Sequence, residues 1–299
     1  MAAHRTRWLE IDACAKVNLG LAVIRRREDG FHDIDTIFQT TSLCDSLRLE
    51  GPEPGSSIVT TGHPVTAGDD NLALRAARLL ESAAGCPPVH IELEKRIPVA
   101  AGLGGGSSDA AATLLGLNSL FELGLSSQRL ELMALELGSD VPFLLSGGTA
   151  RGRGRGELLT RLPALSGVWL ALVTPRAQVS AALGYAHARI GLTQSERSIR
   201  LSCSAIQEGR AERLMSLLHN DLEAGVVSCC PDAASARSSL ERAGARAVVM
   251  SGSGPTVVGL ASSEEEALGI ASRLTGRDFE IHVAHPTAWG SRVRARGAD

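Results

Sequence analysis

Four glycines and two serines fall close together in Pro98-Val99-Ala100-Ala101-Gly102-Leu103-Gly104-Gly105-Gly106-Ser107-Ser108-Asp109. The stretch lies between an alternating, strand-like segment, Val89-x-Ile91-x-Leu93, and a helix predicted from about Ser108 to Leu120. Without Cβ atoms in the way, backbone N–H groups can converge on one point, and the first amides of the following helix face the same way. That combination is an anion cradle suited to the phosphates of a nucleotide, and the helix dipole adds to it. A Walker A loop needs Gly-Lys followed by Ser or Thr, and this stretch has no lysine. A dinucleotide fingerprint needs a third glycine where Ser107 stands. The bland alternative is a flexible connection, which the glycines, serines and helix together disfavour. A second loop, Ser251-Gly252-Ser253-Gly254-Pro255, reads by itself as a hairpin turn. Beside the first loop, it becomes a second wall for the same cleft.

These residues resemble a known family. Pro98 through Ala112 is similar to the phosphate-binding signature of the GHMP small-molecule kinases. Ala15-Lys16-Val17-Asn18-Leu19 resembles their N-terminal motif, and Met250 through Pro255 their C-terminal glycine loop. The resemblance narrows with Ala15-Lys16-Val17-Asn18, Arg27-x-Asp29-Gly30-Phe31-His32 and Leu137-Gly138-Ser139-Asp140-Val141-Pro142. Together these look like the branch whose acceptor alcohol carries a cytidine diphosphate, on the non-mevalonate route to isoprenoids. The motifs run in the family's order over about residues 8 to 260.

The resemblance implies a transfer of the γ-phosphoryl group of ATP, with Mg²⁺, onto a hydroxyl of that alcohol. It implies an α+β fold of two domains, an N-terminal α+β domain and a ferredoxin-like C-terminal domain, with the active site between them. It maps the proton acceptor onto Asp140, with Lys16 beside it to ease loss of the hydroxyl proton. Gly102, Leu103, Gly104, Gly105, Gly106, Ser107 and Ser108 would hold the phosphates, with Pro98 at the start of the loop. Asn71 and Lys95 would lie near the nucleotide base. His32 would read the cytosine edge, Phe31 or Tyr185 would stack on it, and Asn18 would bind the polar chain. No protein ligand is assigned to the metal. Members of the family often carry Tyr where this chain has Phe31, so stacking is retained and a hydrogen bond is not.

Each of these residues also has a plainer reading. Asp140 could cap the helix that Val141-Pro142 begins, and Asn71 the helix after it. Lys16 could be a strand-edge lysine, Lys95 the end of an exposed strand, and His32 a solvated turn residue. Phe38 reads as core that may border the pocket.

Several elements must position these groups. Strands are expected at Trp8 to Cys14, Val17 to Ile24, Ile34 to Phe38, Leu47 to Leu49 and Ile58 to Thr60. Helices are expected after Asn71 and along Leu130, Met133, Ala134 and Leu137, the latter stopping at Gly138. From Pro163 onward the pattern is a strand at Val168 to Val173, then helices around Ala181 to Ile190, Glu212 to Leu218 and Asp232 to Ala243. Strands at Ala247 to Met250 and Thr256 to Leu260, a helix at Glu264 to Leu274 and a strand at Glu280 to Val283 follow. That order is a split β-α-β with extra helix inserted. The domains are therefore expected at 1–162 and 163–299.

The bulk numbers fit such an enzyme. A chain of 299 residues with 44% hydrophobic and 21% charged residues can form two cores. A formal charge of -3 argues against nucleic acid or an acidic membrane as the main partner. Cys14, Cys44, Cys86, Cys203, Cys229 and Cys230 read as scattered reduced thiols. His4, Arg5 and Arg7 precede Glu10, Asp12 and Lys16, which break any apolar run, so no leader is expected and the cytoplasm is the expected compartment. A monomer or weak homodimer is expected. Rival readings are a GHMP kinase for homoserine, mevalonate or a sugar, and a non-catalytic sensor of the same fold. The Gly30-Phe31-His32 turn argues against the first, and the presence of both Lys16 and Asp140 against the second. The Arg151-Gly152-Arg153-Gly154-Arg155-Gly156 run suggests RNA binding, but it is short, lacks aromatics and reads as solvated charge, as do Arg292, Arg294 and Arg296 in a soluble tail.

Overall fold

The computed structural model describes residues 6–177, 179–188, 190–274 and 278–298. His4 and Arg5, and position 189 within the helix expected around Ala181 to Ile190, lie outside them. The runs on either side of Ala15 form one strand, β1 (Arg7–Arg26), which pairs antiparallel with an equally long β2 (His32–Gly51). Pairing survives such length because the register shifts between Cys14 and Lys16, between Asn18 and Gly20 and between Val23 and Arg25. Bulges of this kind bend a strand and re-aim its side chains, and two of them bracket Lys16 and Asn18.

Strand β3 (Ser57–Gly62) precedes helix α1 (Leu72–Ala84), whose first turn is capped by Asn71 accepting the Ala73 N–H at 2.9 Å. After β4 (His90–Lys95), helix α2 (Gly105–Leu120) starts at Gly105 rather than near Ser108. Gly104 takes a left-handed φ of 70° and turns the chain, so the next glycines become the first helical turn. Ala110, Ala111, Ala112 and Gly116 keep α2 thin enough to lie buried on the sheet, and a Cβ at Gly116 would come 2.4 Å from Leu49. Helices α3 (Ser127–Leu137) and α4 (Val141–Ser146) and strands β5 (Thr149–Gly154) and β6 (Leu158–Leu162) complete this half.

The second half begins with β7 (Trp169–Pro175), α5 (Ala181–Ala186), α6 (Thr193–Gln207), α7 (Ala211–Met215), β8 (His219–Asn220) and α8 (Glu223–Cys229). Helix α6 has no counterpart among the sequence expectations. Its buried face includes Ser195 and Ser202 beside Ile199, Ala205 and Ile206, so the apolar period is broken. Then come α9 (Pro231–Arg242), β9 (Ala247–Met250), β10 (Val257–Ala261), α10 (Glu264–Leu274), β11 (Phe279–Ala284) and β12 (Ser291–Ala298). Strands β11-β7-β10-β9 form an antiparallel sheet in that order, the ferredoxin-like arrangement.

Two expectations are corrected. The last arginines are not a soluble tail. They alternate along β12 with Val293, Ala295 and Gly297, and β12 returns to the first sheet to pair with β1 from Ala13↔Ser291 to Arg7↔Ala298. Arg294 reaches Asp12 at 3.1 Å, and Gly297 leaves room for the Trp8 ring, which a Cβ there would meet at 2.8 Å. We propose that the chain divides after Leu162, with β12 crossing back. Nor are all the cysteines free thiols. The β1–β2 register sets Cys14 opposite Cys44, and they form a disulfide with Cα atoms 4.0 Å apart. Only the long strand pairing brings them together; Cys86, Cys203, Cys229 and Cys230 are free.

The segment leading into β12 crosses the end of α4 at bare backbone. A Cβ at Gly290 would fall 2.0 Å from the Leu144 carbonyl, and one at Gly147 would fall 1.9 Å from the Gly290 nitrogen. Gly290→Ala should therefore lower stability by about 1–3 kcal/mol, the usual cost of overpacking, read as the urea midpoint. An unchanged midpoint would mean that this crossing is loose.

Candidate active site

Lys16 lies on β1 opposite Thr40 of β2, its other side is covered by the first glycine loop, and it is no solvated edge lysine. It is 4% exposed, and its ammonium donates to Asn18 Oδ1 at 2.7 Å and to the Gly102 carbonyl at 3.1 Å. Its backbone N–H donates to the Leu103 carbonyl at 2.9 Å, which joins strand to loop. Asn18 is oriented in turn, since its Nδ2 donates to Thr36 Oγ1 at 2.8 Å and Thr36 donates to the Gly20 carbonyl at 2.7 Å. Asp140 stands at the N-cap position of α4 but makes no side-chain capping bond. Its carboxylate instead lies 3.4 Å from Lys16 Nζ.

The two glycine loops close over this point. Gly102 has φ 76°, and a Cβ there would fall 2.1 Å from the Ser251 carbonyl. Ser251 Oγ donates to the Gly102 carbonyl at 2.9 Å and accepts the Asn18 N–H at 3.2 Å. A Cβ at Gly252 would sit 3.1 Å from Lys16 Nζ. Asn220, on β8, holds the second loop from behind through the Met250 and Gly252 carbonyls at 2.8 and 2.7 Å.

Two cavities meet at the first loop. The larger, of about 860 Å³, is lined by Lys16, Asn18, Phe31, His32, Asp140 and Tyr185 among others. The smaller, of about 330 Å³, is lined by Asn71, Lys95, Pro98, Gly105, Gly106 and Asp109 among others. Gly102, Gly104 and Ser107 line both. The N–H groups of Gly105, Gly106 and Ser107 precede the Ser108 N–H, which bonds the Gly104 carbonyl at 2.9 Å. As the first amides of a helix they are available to an anion.

Not every expected residue faces a cavity. Leu103 is buried in the core, the Ser108 hydroxyl is already donated to the Cys14 carbonyl at 2.7 Å, and neither residue lines either cavity. Asn71 spends both ends of its amide on the cap, accepting from Ala73 and donating to the Thr66 carbonyl at 2.7 Å. Lys95 is 4% exposed rather than an exposed strand end. It bonds Asp45 and, at 2.7 Å, Asp109. Asp45 also accepts the Arg96 and Ile97 N–H groups at 2.6 and 2.8 Å. Burial, with Asp45 close by, raises the Asp109 carboxyl well above its usual range despite the pull of Lys95. Burial opposes the Lys95 charge, but the two carboxylates overcome it and its pKa rises.

At the far end of the larger cavity the His32 ring stacks on Tyr185, centroids 4.9 Å apart. Burial and the nearby Arg26 lower the His32 pKa, so the ring is neutral near pH 7 and can donate from one nitrogen and accept at the other. Phe31 is half-exposed, and Phe38 is buried against Phe143 with centroids 4.8 Å apart. The Arg-Gly run is not simply solvated charge. Arg151 makes a two-bond contact to Asp35 at 2.8 and 2.6 Å, and Arg155 lines the cavity. Sequence reasoning also missed Thr36, Asp45, Asn220 and Arg26. None sits in a local motif, and each depends on strand pairing for its place.

Family models match twice, GHMP kinases N terminal domain over residues 71–148 and GHMP kinases C terminal over residues 203–280. The chain is 47% identical over 269 residues to a 4-diphosphocytidyl-2-C-methyl-D-erythritol kinase of Moorella thermoacetica, covering 89% of this chain and 94% of that one. It is 42% identical to the protein of the same name from Geobacter metallireducens, covering 92% and 97%. The crystal structure of a 4-(cytidine 5'-diphospho)-2C-methyl-D-erythritol kinase aligns with a TM-score of 0.75 at 37% identity, over 92% of this chain and 99% of that one. A homoserine kinase from Cytophaga hutchinsonii aligns with a TM-score of 0.79 at 19% identity, over 96% and 97%, a likeness of fold.

The buried Lys95 cluster yields a test. Lys95→Met strands two carboxylates and should cost about 3–5 kcal/mol in urea denaturation. Asp109→Asn leaves Lys95 its Asp45 partner and should cost less than about 1.5 kcal/mol. Equal losses would show that the two carboxylates do not share one cation in this way.

Proposed function

The chain belongs to the 4-diphosphocytidyl-2-C-methyl-D-erythritol kinases of the GHMP family, and we propose that Lys16, Asp140 and the first glycine loop carry its reaction. The enzyme is an ATP-dependent kinase of non-mevalonate isoprenoid precursor synthesis. It phosphorylates a hydroxyl of 4-diphosphocytidyl-2-C-methyl-D-erythritol, giving the 2-phosphate and ADP. One observation supports the assignment of roles above the others: the Lys16–Asp140 pair lines the larger cavity, and Lys16 bonds the carbonyl of Gly102, a residue that lines both cavities.

In this reading the smaller cavity takes ATP. Its triphosphate lies on the N–H groups of Gly105, Gly106 and Ser107, where a Cβ at Gly106 would meet only Leu72 at 3.5 Å. The larger cavity takes the acceptor, with its cytosine at His32 and the Phe31 and Tyr185 rings. Asp140 accepts a hydrogen bond from the reacting hydroxyl and takes its proton as the bond to phosphorus forms. Lys16, held by Asn18 and Gly102, stabilises the charge that builds on the transferred group. Among the described residues no group of three His, Cys, Asp or Glu side chains could hold a metal ion. Mg²⁺ keeps much of its water and would be carried by the phosphates, with Ser107 the hydroxyl on the cavity wall beside them. Bound there, it would neutralise charge on the β- and γ-phosphates.

A monomer or weak homodimer with small-molecule partners is our reading, and the formal charge of -3 argues against nucleic acid or an acidic membrane as the main partner. No helix of the described residues is long and apolar enough to cross a membrane, and dependence on ATP favours the cytoplasm as the place of work.

Asp140→Asn should keep the shape and remove the base. We expect kcat to fall about 10²–10⁴-fold while ATP still binds, measured by steady-state turnover and nucleotide titration. Near-normal turnover would take Asp140 out of the role.

A further inference from the structure

The end of the larger cavity beyond Lys16 is rich in arginine, and most of that charge is already committed. Arg25 pairs with Asp33 at 2.6 Å, Arg27 with Asp29 and Asp33 at 3.1 and 3.0 Å, and Arg151 with Asp35 at 2.6 Å. Arg26 and Arg155 have no carboxylate partner among the described residues, and these are the two arginines that line the cavity. Lys16 is occupied by Asn18, Gly102 and Asp140. The cavity lining thus holds Lys16, Arg26 and Arg155 against one carboxylate, Asp140.

Strand pairing brings the two free arginines to the same place. Arg26 on β1 is in register with His32 on β2, and Ile34 on β2 is in register with Gly154, the last residue of β5 before Arg155. The turn around Arg155 is built to hold it there. Gly154 and Gly156 take φ of 71° and 110°, and the Arg155 N–H is donated to Glu157 at 2.6 Å. The guanidinium lies 5.0 Å from the Phe31 ring centroid, a cation–π contact at the cavity rim.

We propose that Arg26 and Arg155 bind the diphosphate of the acceptor and so select a nucleoside diphosphate alcohol over an uncharged one. This rests on the acceptor reading given above and deepens it. A cytidine diphosphate alcohol is ordered base, ribose, diphosphate, alcohol. With the base at His32 and the alcohol at Asp140, the two phosphates span the stretch between, within reach of two long cationic side chains. Guanidinium groups suit the task because their forked N–H groups match phosphate oxygens.

The test uses the full chain and two probes, CDP and cytidine, titrated calorimetrically into the wild type, R26Q, R155Q and the double variant. The wild type should bind CDP more tightly than cytidine. The double variant should lose about 10- to 100-fold in CDP affinity, as expected for hydrogen bonds to charged groups, with cytidine affinity unchanged. The KM for the acceptor should rise to match, with the KM for ATP unchanged as the check on folding. R155K should recover part of the CDP affinity. An unchanged ratio of CDP to cytidine affinity in the double variant overturns the proposal while leaving the acceptor reading intact. Parallel loss of cytidine and CDP in R155Q overturns it too, since Arg155 would then serve only to hold Phe31. A wild type that binds neither probe overturns the acceptor reading itself.

Discussion

A buried ammonium sets the terms for the rest of this structure. Taking a charge of that kind out of water costs several kcal/mol unless its hydrogens are used well. Lys16 uses them on Asn18, on the Gly102 carbonyl and on Asp140. These partners come from β1, the first glycine loop and the start of α4, so one cation ties together the strand, the loop and the helix. In the proposed reading, the acceptor side and the nucleotide side of the site take their relative positions from it. Asn18 accepts from Lys16 only because Thr36 holds the other end of its amide, which spreads the constraint into β2.

Close approach of bare backbone makes the arrangement possible. The first loop meets the second at Gly102 and Ser251, where the halves of the chain touch. The end of α4 meets the entry to β12 at Gly147 and Gly290, so the strand that returns to the first sheet also steadies the helix that begins beside Asp140. A second buried lysine works on the other side of the loop. Lys95 binds Asp45 and Asp109, and Asp45 also gathers the N–H groups of Arg96 and Ile97 just before the glycines. The loop is thus pinned at its entry by one lysine and at Gly102 by another, while the amides of Gly105, Gly106 and Ser107 just beyond stay open to an anion.

The parts written locally in the sequence were legible there. The glycine loop, the Asn71 cap, the stop at Gly138 and the strand-helix order of the ferredoxin-like half depend on residues close in the chain, and period and turn chemistry suffice to find them. What sequence reading missed depends on distant pairing. Nothing near Asp45 announces that it meets Lys95, and Cys14 faces Cys44 only through the register of two long strands. Helix α6 hid because serines stand on its buried face. The arginines of β12 resembled a tail because every second residue of an edge strand faces water. Arg151 and Arg155 looked alike within one repetitive run, yet pairing with β2 gives one to Asp35 and leaves the other facing the cavity. Ser108 was misplaced for a related reason: the helix begins earlier than composition suggests and rotates that hydroxyl toward Cys14.

The central claim is that a single ammonium at position 16 registers both substrates at once. A crystal structure of the enzyme with a non-hydrolysable ATP analogue and the acceptor tests it most directly, through the place of the γ-phosphorus. The account predicts that it lies between Lys16 and the amides of Gly105 to Ser107, with the acceptor hydroxyl in hydrogen-bond contact with Asp140. A triphosphate seated away from the first loop, with Lys16 still turned to its protein partners alone, would contradict it.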